Sequence, residues 1–594
     1  MKRQTETGDN EDPGARLALQ WQRITLAANR LGAGILRRQI KGDHFLFPDP
    51  QQIAQAYWRW GLALVQDPAR LLATQQRWTE EALEAWQQLM TPPGEAEAPK
   101  TADRRFQHPE WRNNAALDFM HRGYLVAAKQ LLNAVDEVEG LDPHTRQMVR
   151  FYTRQYADAL SPSNFAATNP AVVERALETG GESLLRGLAN LLEDLAEGDG
   201  QLRLRHVDPE AFEIGRDLAT TPGRVVHENR LMQLIQYSPT TETVHQRPLL
   251  IVPPWINKFY ILDLNEKKSF IRWAVAQGHT VFIISWINPG PELADIRFDD
   301  YLTEGPLAAM DVIRELTGEE QLNTLGYCIG GTLLACTLAW LAAAGEQDRV
   351  SSATFFTTLL DFSDVGELSV FIDEEQIQLL EAQMARKGHL QGAHLGQAFN
   401  LLQANDLIWS YVINNYLMGR DPLPFDLLYW NGDNTCMPAR MQSWYLRHLY
   451  LENRLREPDA LSLAGQPLDL GRIKVPAYFL STAGDHIAPW RGTYHGARLL
   501  GGRVRFVLGG SGHVAGVINP EHSGKYGYRH YGRLPADPER WLQSAREYAG
   551  SWWPDWRHWV AGHAGEQVPA RTPPEGIEPA PGRYVRVRAP KGAS

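Results

Sequence analysis

The sequence predicts an α/β fold with a mainly parallel sheet, and three observations support this fold class. Short apolar runs typical of buried strands alternate with amphipathic helical segments over the second half of the chain. Residues 247–290 read as strand, helix and strand. The uncharged run from Gln321 to Gly345 reads as strand, tight turn and helix. Strands that alternate with helices form parallel sheets whose two faces are covered.

The first third of the chain is predicted to be a helical domain, residues 1–220. Apolar residues recur at three- and four-residue spacing from residue 17 to residue 159, with many Trp and Gln side chains among them. One interpretation is a helical domain packed on itself. The other is a docking surface for a partner or for an apolar particle.

The predicted catalytic core comprises residues 221–362 and 470–594. Its strands are expected within residues 247–255, 279–290, 323–325, 350–362, 475–486 and 504–513. Residues 363–469 form an insertion that is too long for a loop, and we interpret it as a lid subdomain. The Pro- and Arg-rich tail from residue 558 is expected to be extended.

Composition excludes several classes of protein. The 594 residues carry a net charge of -11, which argues against nucleic acid as a partner. The N-terminus has no apolar stretch of the kind that directs secretion, so a cytoplasmic location is expected. Three cysteines cannot all pair within one chain, and their spacing matches no metal site. No cofactor or metal is predicted. No membrane span is predicted either, because Gly326, Gly330 and Gly331 interrupt the apolar run.

The candidate nucleophile is Cys328, in the pattern Gly326-Tyr327-Cys328-Ile329-Gly330. A G-x-S-x-G elbow places its nucleophile on a strained turn between strand and helix, and here cysteine occupies the serine position. Gly326, Gly330 and Gly331 would let the strand and the helix approach closely. The alternative is that Cys328 is a small buried apolar residue.

A nucleophile of this kind needs a base, and the base needs an acid that fixes its tautomer. This elbow predicts an α/β-hydrolase fold, in which the acid and then the histidine follow the nucleophile along the chain. Asp485 and His513 each come directly after a predicted strand, and both are therefore expected at the same sheet edge as Cys328. Asp361 is the alternative acid, and His486 is expected to point elsewhere.

An oxyanion formed at Cys328 would need two backbone donors. The first is predicted to be the amide of Ile329, and the second to come from the loop at residues 253–258. Pro253 and Pro254 have no N–H, which leaves Trp255 or Ile256, and Ile256 is the predicted donor. The alternative is that this loop is only a rigid turn.

Several segments resemble the class I polyhydroxyalkanoate synthases, over residues 161–585. The segments are SPSNFAATNP, LLIVPPWINKFYILDLN, LGYCIGGT, PFDLLYWNGD, GDHIAPW, FVLGGSGHVAGVINP and EPAPGRYV. The family's G-x-C-x-G-G box is matched by Gly326, Cys328, Gly330 and Gly331. Its acid and base correspond to Asp485 and His513.

The resemblance implies an enzyme that polymerises (R)-3-hydroxyacyl-CoA, above all 3-hydroxybutyryl-CoA, into polyester with release of CoA. It implies a cysteinyl thioester intermediate, a homodimer, and work at the surface of a polyester granule beside granule-surface proteins. It leaves open which base removes which proton, and the sequence does not define the monomer chain length. The competing hypotheses are a cysteine-dependent acyl-CoA thioesterase and a non-catalytic granule-associated protein.

Overall fold

The computed structural model describes residues 13–41, 49–66, 72, 75–77, 79–81, 83, 87, 103–198 and 200–588. These residues fall into two compact units. The first comprises the described residues of Met1–Asp208 and of Phe399–Leu423. The second comprises those of Pro209–Ala398 and Pro424–Ala589.

The first unit is helical, as the sequence predicted. Its helices are α1 (Pro13–Lys41), α2 (Pro50–Gln66), α3 (Glu110–Asn113), α4 (Ala115–Asp136), α5 (Pro143–Ala159), α6 (Pro170–Glu178) and α7 (Glu182–Glu197). Helix α5 begins where Asp142 accepts a hydrogen bond from the Thr145 amide and proline occupies the first helical position. The Asn169 side chain caps α6 in the same way.

Residues 399–423, which lie inside the predicted insertion, group with these helices. A Cβ on Gly187 of α7 would lie 1.9 Å from the carbonyl oxygen of Tyr416, so only glycine permits this approach. The Tyr416 hydroxyl donates to Asp194 at 2.6 Å, and the Asn190 side chain donates to the Asn415 carbonyl at 3.1 Å. Buried polar contacts of this kind fix one register between the helix and the segment.

The second unit is built on an eleven-stranded sheet in the order β15-β14-β13-β12-β7-β6-β4-β5-β2-β1-β17 within the described residues. The strands are β1 (Gly223–Glu228), β2 (Met232–Tyr237), β3 (Thr243–His245), β4 (Leu249–Val252), β5 (Val281–Trp286), β6 (Leu322–Tyr327), β7 (Val350–Phe356), β8 (His389–Leu390), β9 (Met437–Pro438), β10 (Leu461–Leu463), β11 (Gln466–Leu468), β12 (Ala477–Thr482), β13 (Val504–Gly509), β14 (Tyr528–His530), β15 (Arg546–Tyr548), β16 (Gln567–Pro569) and β17 (Glu578–Pro579).

The centre of the sheet is parallel. Strands β13, β12, β7, β6, β4 and β5 pair in parallel, whereas the outer strands pair antiparallel. Every residue of β4, β5, β6 and β12 is buried, as expected for strands with both faces covered. All six predicted strands are present, and the α/β-hydrolase fold class is confirmed.

The remaining helices are α8 (Phe270–Ala276), α9 (Phe298–Leu302), α10 (Ala308–Thr317), α11 (Ile329–Ala344), α12 (Glu374–Lys387), α13 (Gly392–Leu402), α14 (Asp426–Gly432), α15 (Ala439–Tyr445), α16 (Trp490–Ala497), α17 (Pro538–Ser544) and α18 (Trp553–Ala561). Helix α18 runs into the tail, so the expectation of an extended tail is wrong for residues 558–561. Further along, β17 joins the sheet edge by pairing with β1. Across the described ranges, no helix has both the length and the apolarity that crossing a bilayer requires.

Candidate active site

Cys328 lies on a strained turn between β6 and α11. Its backbone has φ 53° and ψ -126°, a conformation that side-chain-bearing residues rarely adopt. The Cys328 amide donates to the Phe356 carbonyl at 2.9 Å, and the Gly331 amide donates to the Cys328 carbonyl at 2.9 Å. These hydrogen bonds hold the turn at the carboxyl end of the strand. Cys328 is partly exposed there.

The three glycines around Cys328 are needed for close approach. A Cβ on Gly326 would lie 2.4 Å from the Gly331 Cα, and one on Gly331 would lie 2.0 Å from the Thr358 hydroxyl. A Cβ on Gly330 would lie 2.3 Å from the carbonyl oxygen of Val252. None of these distances is sterically allowed, so the strand, the turn and the helix can meet only with glycine at these positions.

Asp485 and His513 are hydrogen-bonded to each other. The Asp485 Oδ2 atom lies 2.7 Å from His513 Nδ1, and Oδ1 accepts from the amides of Ile487 at 2.9 Å and Ala488 at 2.8 Å. An ionised carboxylate can only accept, so the Nδ1 atom carries a proton. The Thr482 hydroxyl also donates to Oδ2 at 3.4 Å, and the Asp485 side chain is 0% exposed.

Contacts between loops bring these residues to the elbow. The Gly484 amide donates to the Ser511 carbonyl at 2.8 Å, which joins the Asp485 loop to the His513 loop. The Tyr327 hydroxyl donates to the His513 carbonyl at 3.1 Å, and the two rings stack with centroids 5.6 Å apart. The residue just before Cys328 thus positions the histidine, a role that the sequence analysis missed.

The imidazole of His513 is electrostatically coupled to both neighbours. Burial favours the neutral ring, but the charges of Asp485 and Cys328 and their side-chain hydrogen bonds outweigh it and raise the pKa of His513 to about 10. Burial also raises the pKa of Tyr450, and the charge of Cys328 raises it further. The protonated form of the His513 ring is therefore favoured at neutral pH.

The other two cysteines, Cys336 and Cys436, are poor candidates for the nucleophile. Both are buried, and burial raises the pKa of Cys336 to about 12 and raises that of Cys436 as well. Among the residues that the structure describes, no three His, Cys, Asp or Glu side chains are arranged to hold a metal ion.

The alternative acid has other partners. Asp361 accepts from the Asn453 side chain and from the Ser363 amide, both at 2.9 Å, and it pairs with Arg456 at 3.5 Å. His486 lies beside Asp485 in the chain, but the imidazole that bonds to this carboxylate belongs to His513. The structure therefore pairs His513 with the predicted acid, Asp485, and not with the alternative acid, Asp361.

The two predicted oxyanion donors belong to the elbow and to a loop that touches it. Ile329 is the first residue of α11, where amides have no acceptor within the helix. Ile256 lies in the loop after β4, which touches the elbow: a Cβ on Gly330 would be 2.5 Å from the Pro253 carbonyl oxygen. The Trp286 indole donates to that same oxygen at 2.9 Å and holds the loop in place.

Two tryptophans donate hydrogen bonds to the loop that carries His513. The Trp552 indole donates to the Gly516 carbonyl at 2.8 Å, and the Trp553 indole donates to the Val517 carbonyl at 3.1 Å. Both rings are fully buried. This support was not predicted from the sequence, although the cluster WWPDW is a signal for it.

Most of the chain is similar to known proteins. Residues 102–274 match the family described as poly-beta-hydroxybutyrate polymerase (PhaC) N-terminus, and residues 248–520 match the alpha/beta hydrolase fold family. The poly(3-hydroxyalkanoate) polymerase subunit PhaC of Rhizobium meliloti is 49% identical, covering 88% of this chain and 87% of the relative. The poly(3-hydroxyalkanoate) polymerase of Methylorubrum extorquens is 48% identical, covering 88% of each chain. The PhaC subunit of Cupriavidus necator is 46% identical over 88% of this chain and 89% of its own. The chain therefore belongs to the poly(3-hydroxyalkanoate) polymerase family.

Proposed function

We propose that this protein is an acyltransferase that polymerises (R)-3-hydroxyacyl groups from CoA thioesters into polyester. Cys328 is the nucleophile, His513 is the general base, and Asp485 orients the imidazole. The observation that carries the proposal is the hydrogen bond between His513 and Asp485 beside a strained Cys328 elbow, in a chain that is 49% identical to a polymerase.

The first step is an exchange of thioesters. The Cys328 thiolate attacks the carbonyl carbon of the acyl-CoA, a carbon–sulfur bond forms, and the bond to the CoA sulfur breaks. The imidazolium of His513 gives its proton to the departing CoA thiolate. Because one thioester replaces another, the acyl group remains reactive. The amides of Ile329 and Ile256 stabilise the oxyanion of the tetrahedral intermediate.

The second step makes the ester. Acylation removes the Cys328 charge, one of the groups that raise the pKa of His513, so the imidazole gives up its proton more readily. The ring then accepts the proton of a monomer hydroxyl, and the resulting alkoxide attacks the acyl carbonyl. The carbon–sulfur bond breaks and Cys328 is again a thiolate.

The burial of Asp485 supports His513 as the group that gives the proton in the first step and accepts it in the second. The Asp485 side chain is 0% exposed, and its oxygens already accept from two backbone amides and from the imidazole. A substrate hydroxyl has no access to this carboxylate. Asp485 therefore works by holding the ring and by stabilising its positive charge.

The remaining parts of the proposal rest on the family resemblance. They are a cytoplasmic location at the surface of polyester granules, a homodimer, contact with granule-surface proteins, and a lid formed by residues 363–469 over a core of residues 221–362 and 470–594. The aromatic side chains of this insertion, Tyr450 among them, would keep water from the acyl enzyme.

Product analysis tests the proposal. The full-length protein is incubated with (R)-3-hydroxybutyryl-CoA, and the CoA released is compared with the monomer recovered in precipitable polyester. We expect the two amounts to agree and Cys328→Ala to abolish both. Release of CoA together with free acid alone would identify a thioesterase, which uses the same three side chains with water as acceptor. No release of CoA would overturn the proposal.

A further inference from the structure

A further functional residue contacts the loop that carries the second proposed oxyanion donor. We infer that Thr435 is a positioning residue whose hydroxyl fixes the direction of the Ile256 amide. Thr435 is 3% exposed and lies between α14 and β9, far from the loop in sequence. The inference rests on the proposed function, because the direction of this amide matters only if an oxyanion forms at Cys328.

The contacts of Thr435 are with the peptide that carries the amide. The Thr435 hydroxyl donates to the carbonyl oxygen of Trp255 and also lies 3.0 Å from the carbonyl oxygen of Ile256. The Thr435 amide donates to the Ile256 carbonyl at 3.2 Å. A trans peptide is planar, so the Ile256 N–H points opposite to the Trp255 carbonyl. A hydroxyl that holds the carbonyl therefore sets where the N–H points.

The residues before Thr435 hold the rest of the loop in antiparallel register. Asn434 pairs with Asn257 through the backbone and through a side-chain hydrogen bond of 3.1 Å. Asp433 forms an ion pair with Lys258 at 2.8 Å, and their side chains are only 6% and 3% exposed. A buried charge left without its partner is strongly disfavoured, so this pair permits one register only.

This pairing, of residues 433–435 with residues 256–258, leaves the amide little freedom. The loop also contacts the elbow itself, since the Pro253 carbonyl oxygen lies 2.5 Å from where a Gly330 Cβ would be. Oxyanion donors work when they already point at the oxygen before reaction, so a small rotation of the Trp255–Ile256 peptide lowers the rate. Substrate binding away from the reacting carbonyl would not change.

Thr337 provides a matched control. Its hydroxyl is also buried, but it donates at 2.8 Å to the Leu333 carbonyl of its own helix. Replacement of either threonine by valine removes a hydroxyl and keeps the shape of the side chain. Only the change at residue 435 removes a hydrogen bond to the loop after β4.

The test compares full-length wild type with Thr435→Val, Thr435→Ser and Thr337→Val. Initial rates of CoA release from (R)-3-hydroxybutyryl-CoA give kcat and KM. The rate of Cys328 alkylation by iodoacetamide is measured in parallel. Alkylation displaces iodide from a saturated carbon and forms no oxyanion, so it reports on the nucleophile and not on the Ile256 amide.

We expect Thr435→Val to lower kcat by about 10-fold or more, since the loss of an oxyanion donor costs about 100-fold to 1,000-fold. KM and the alkylation rate should stay within 2-fold of wild type, and the serine variant and Thr337→Val should retain the wild-type kcat. If the valine variant does not fold, Thr435→Ala carries the same expectation. A wild-type kcat without the hydroxyl, or an equal fall in kcat and alkylation, would overturn the inference. A wild type that releases no CoA would instead overturn the proposed function.

Discussion

The Nδ1 atom of His513 lies 2.7 Å from Oδ2 of Asp485, and the side chain of that aspartate is completely shielded from solvent. The two residues follow neighbouring parallel strands, β12 and β13, whose carboxyl ends meet at one edge of the sheet. The geometry of this pair predicts how stability and reactivity respond to changes at either residue.

The Asp485–His513 pair should make stability depend on pH. Burial opposes the charged ring, but Asp485 and Cys328 raise the pKa of His513 to about 10, above the ordinary value of about 6.5. Because the pKa of His513 is higher in the folded protein than in the unfolded chain, protonation of the ring stabilises the folded state. This contribution is complete below about pH 6.5 and is lost as the pH rises through about 10.

Asp485→Asn should therefore be destabilised relative to wild type by on the order of a few kcal/mol near pH 6.5, and the difference should shrink toward pH 10. Urea unfolding of both proteins at pH 6.5, 8 and 10 measures it. A difference that stays constant or grows with pH would show that the imidazolium does not stabilise the folded state. The variant should also lose about 100-fold to 10,000-fold in kcat, because its imidazole is no longer held in the required tautomer.

His513→Gln should lower kcat by at least about 1,000-fold, because it removes the side chain that serves as acid and base in the proposed mechanism. It should also slow the alkylation of Cys328 at pH 7, because the thiolate loses its cationic partner. His522→Gln is the control, since His522 lies in the same region but is exposed. If alkylation of the His513 variant proceeds at the wild-type rate, the imidazole does not activate the thiol.

Gly330→Ala should destabilise the protein by about 1–3 kcal/mol, the range typical of overpacked sites. The added Cβ would lie 2.3 Å from the Val252 carbonyl oxygen and 2.5 Å from that of Pro253. Gly123→Ala is the control: Gly123 lies inside helix α4 with no atom within 4 Å of an added Cβ. It should be stabilised by up to about 1 kcal/mol. Thermal unfolding followed by circular dichroism compares the two, and equal melting temperatures would contradict the close approach at the elbow.

The features that could be predicted from the sequence are local ones. Gly326, Gly330 and Gly331 are close together in the chain and act on one turn, so their spacing alone indicates a close approach. Asp485 and His513 each follow an apolar strand, and the rule that parallel strands end at one edge brings them together. The pattern of buried strands likewise predicts the centre of the sheet.

The features that could not be predicted depend on contacts between distant segments. The edge strand β17 has only two residues, and its pairing with β1 leaves no periodic pattern. The grouping of residues 399–423 with the helical unit depends on the shape match at Gly187. Thr435 belongs to no recognisable sequence motif. Its proposed positioning role follows only from the contacts of its hydroxyl with the carbonyl oxygens of Trp255 and Ile256.

The most direct test is to identify the residue that carries the acyl group. The protein is mixed with (R)-3-hydroxybutyryl-CoA, quenched in acid within the first turnovers, digested, and analysed by mass spectrometry. We predict a 3-hydroxyacyl group on the peptide that contains Cys328, removable by hydroxylamine as a thioester is, with Cys336 and Cys436 unmodified. An unmodified Cys328 during continued release of CoA, or an acyl group on another side chain, would contradict the account.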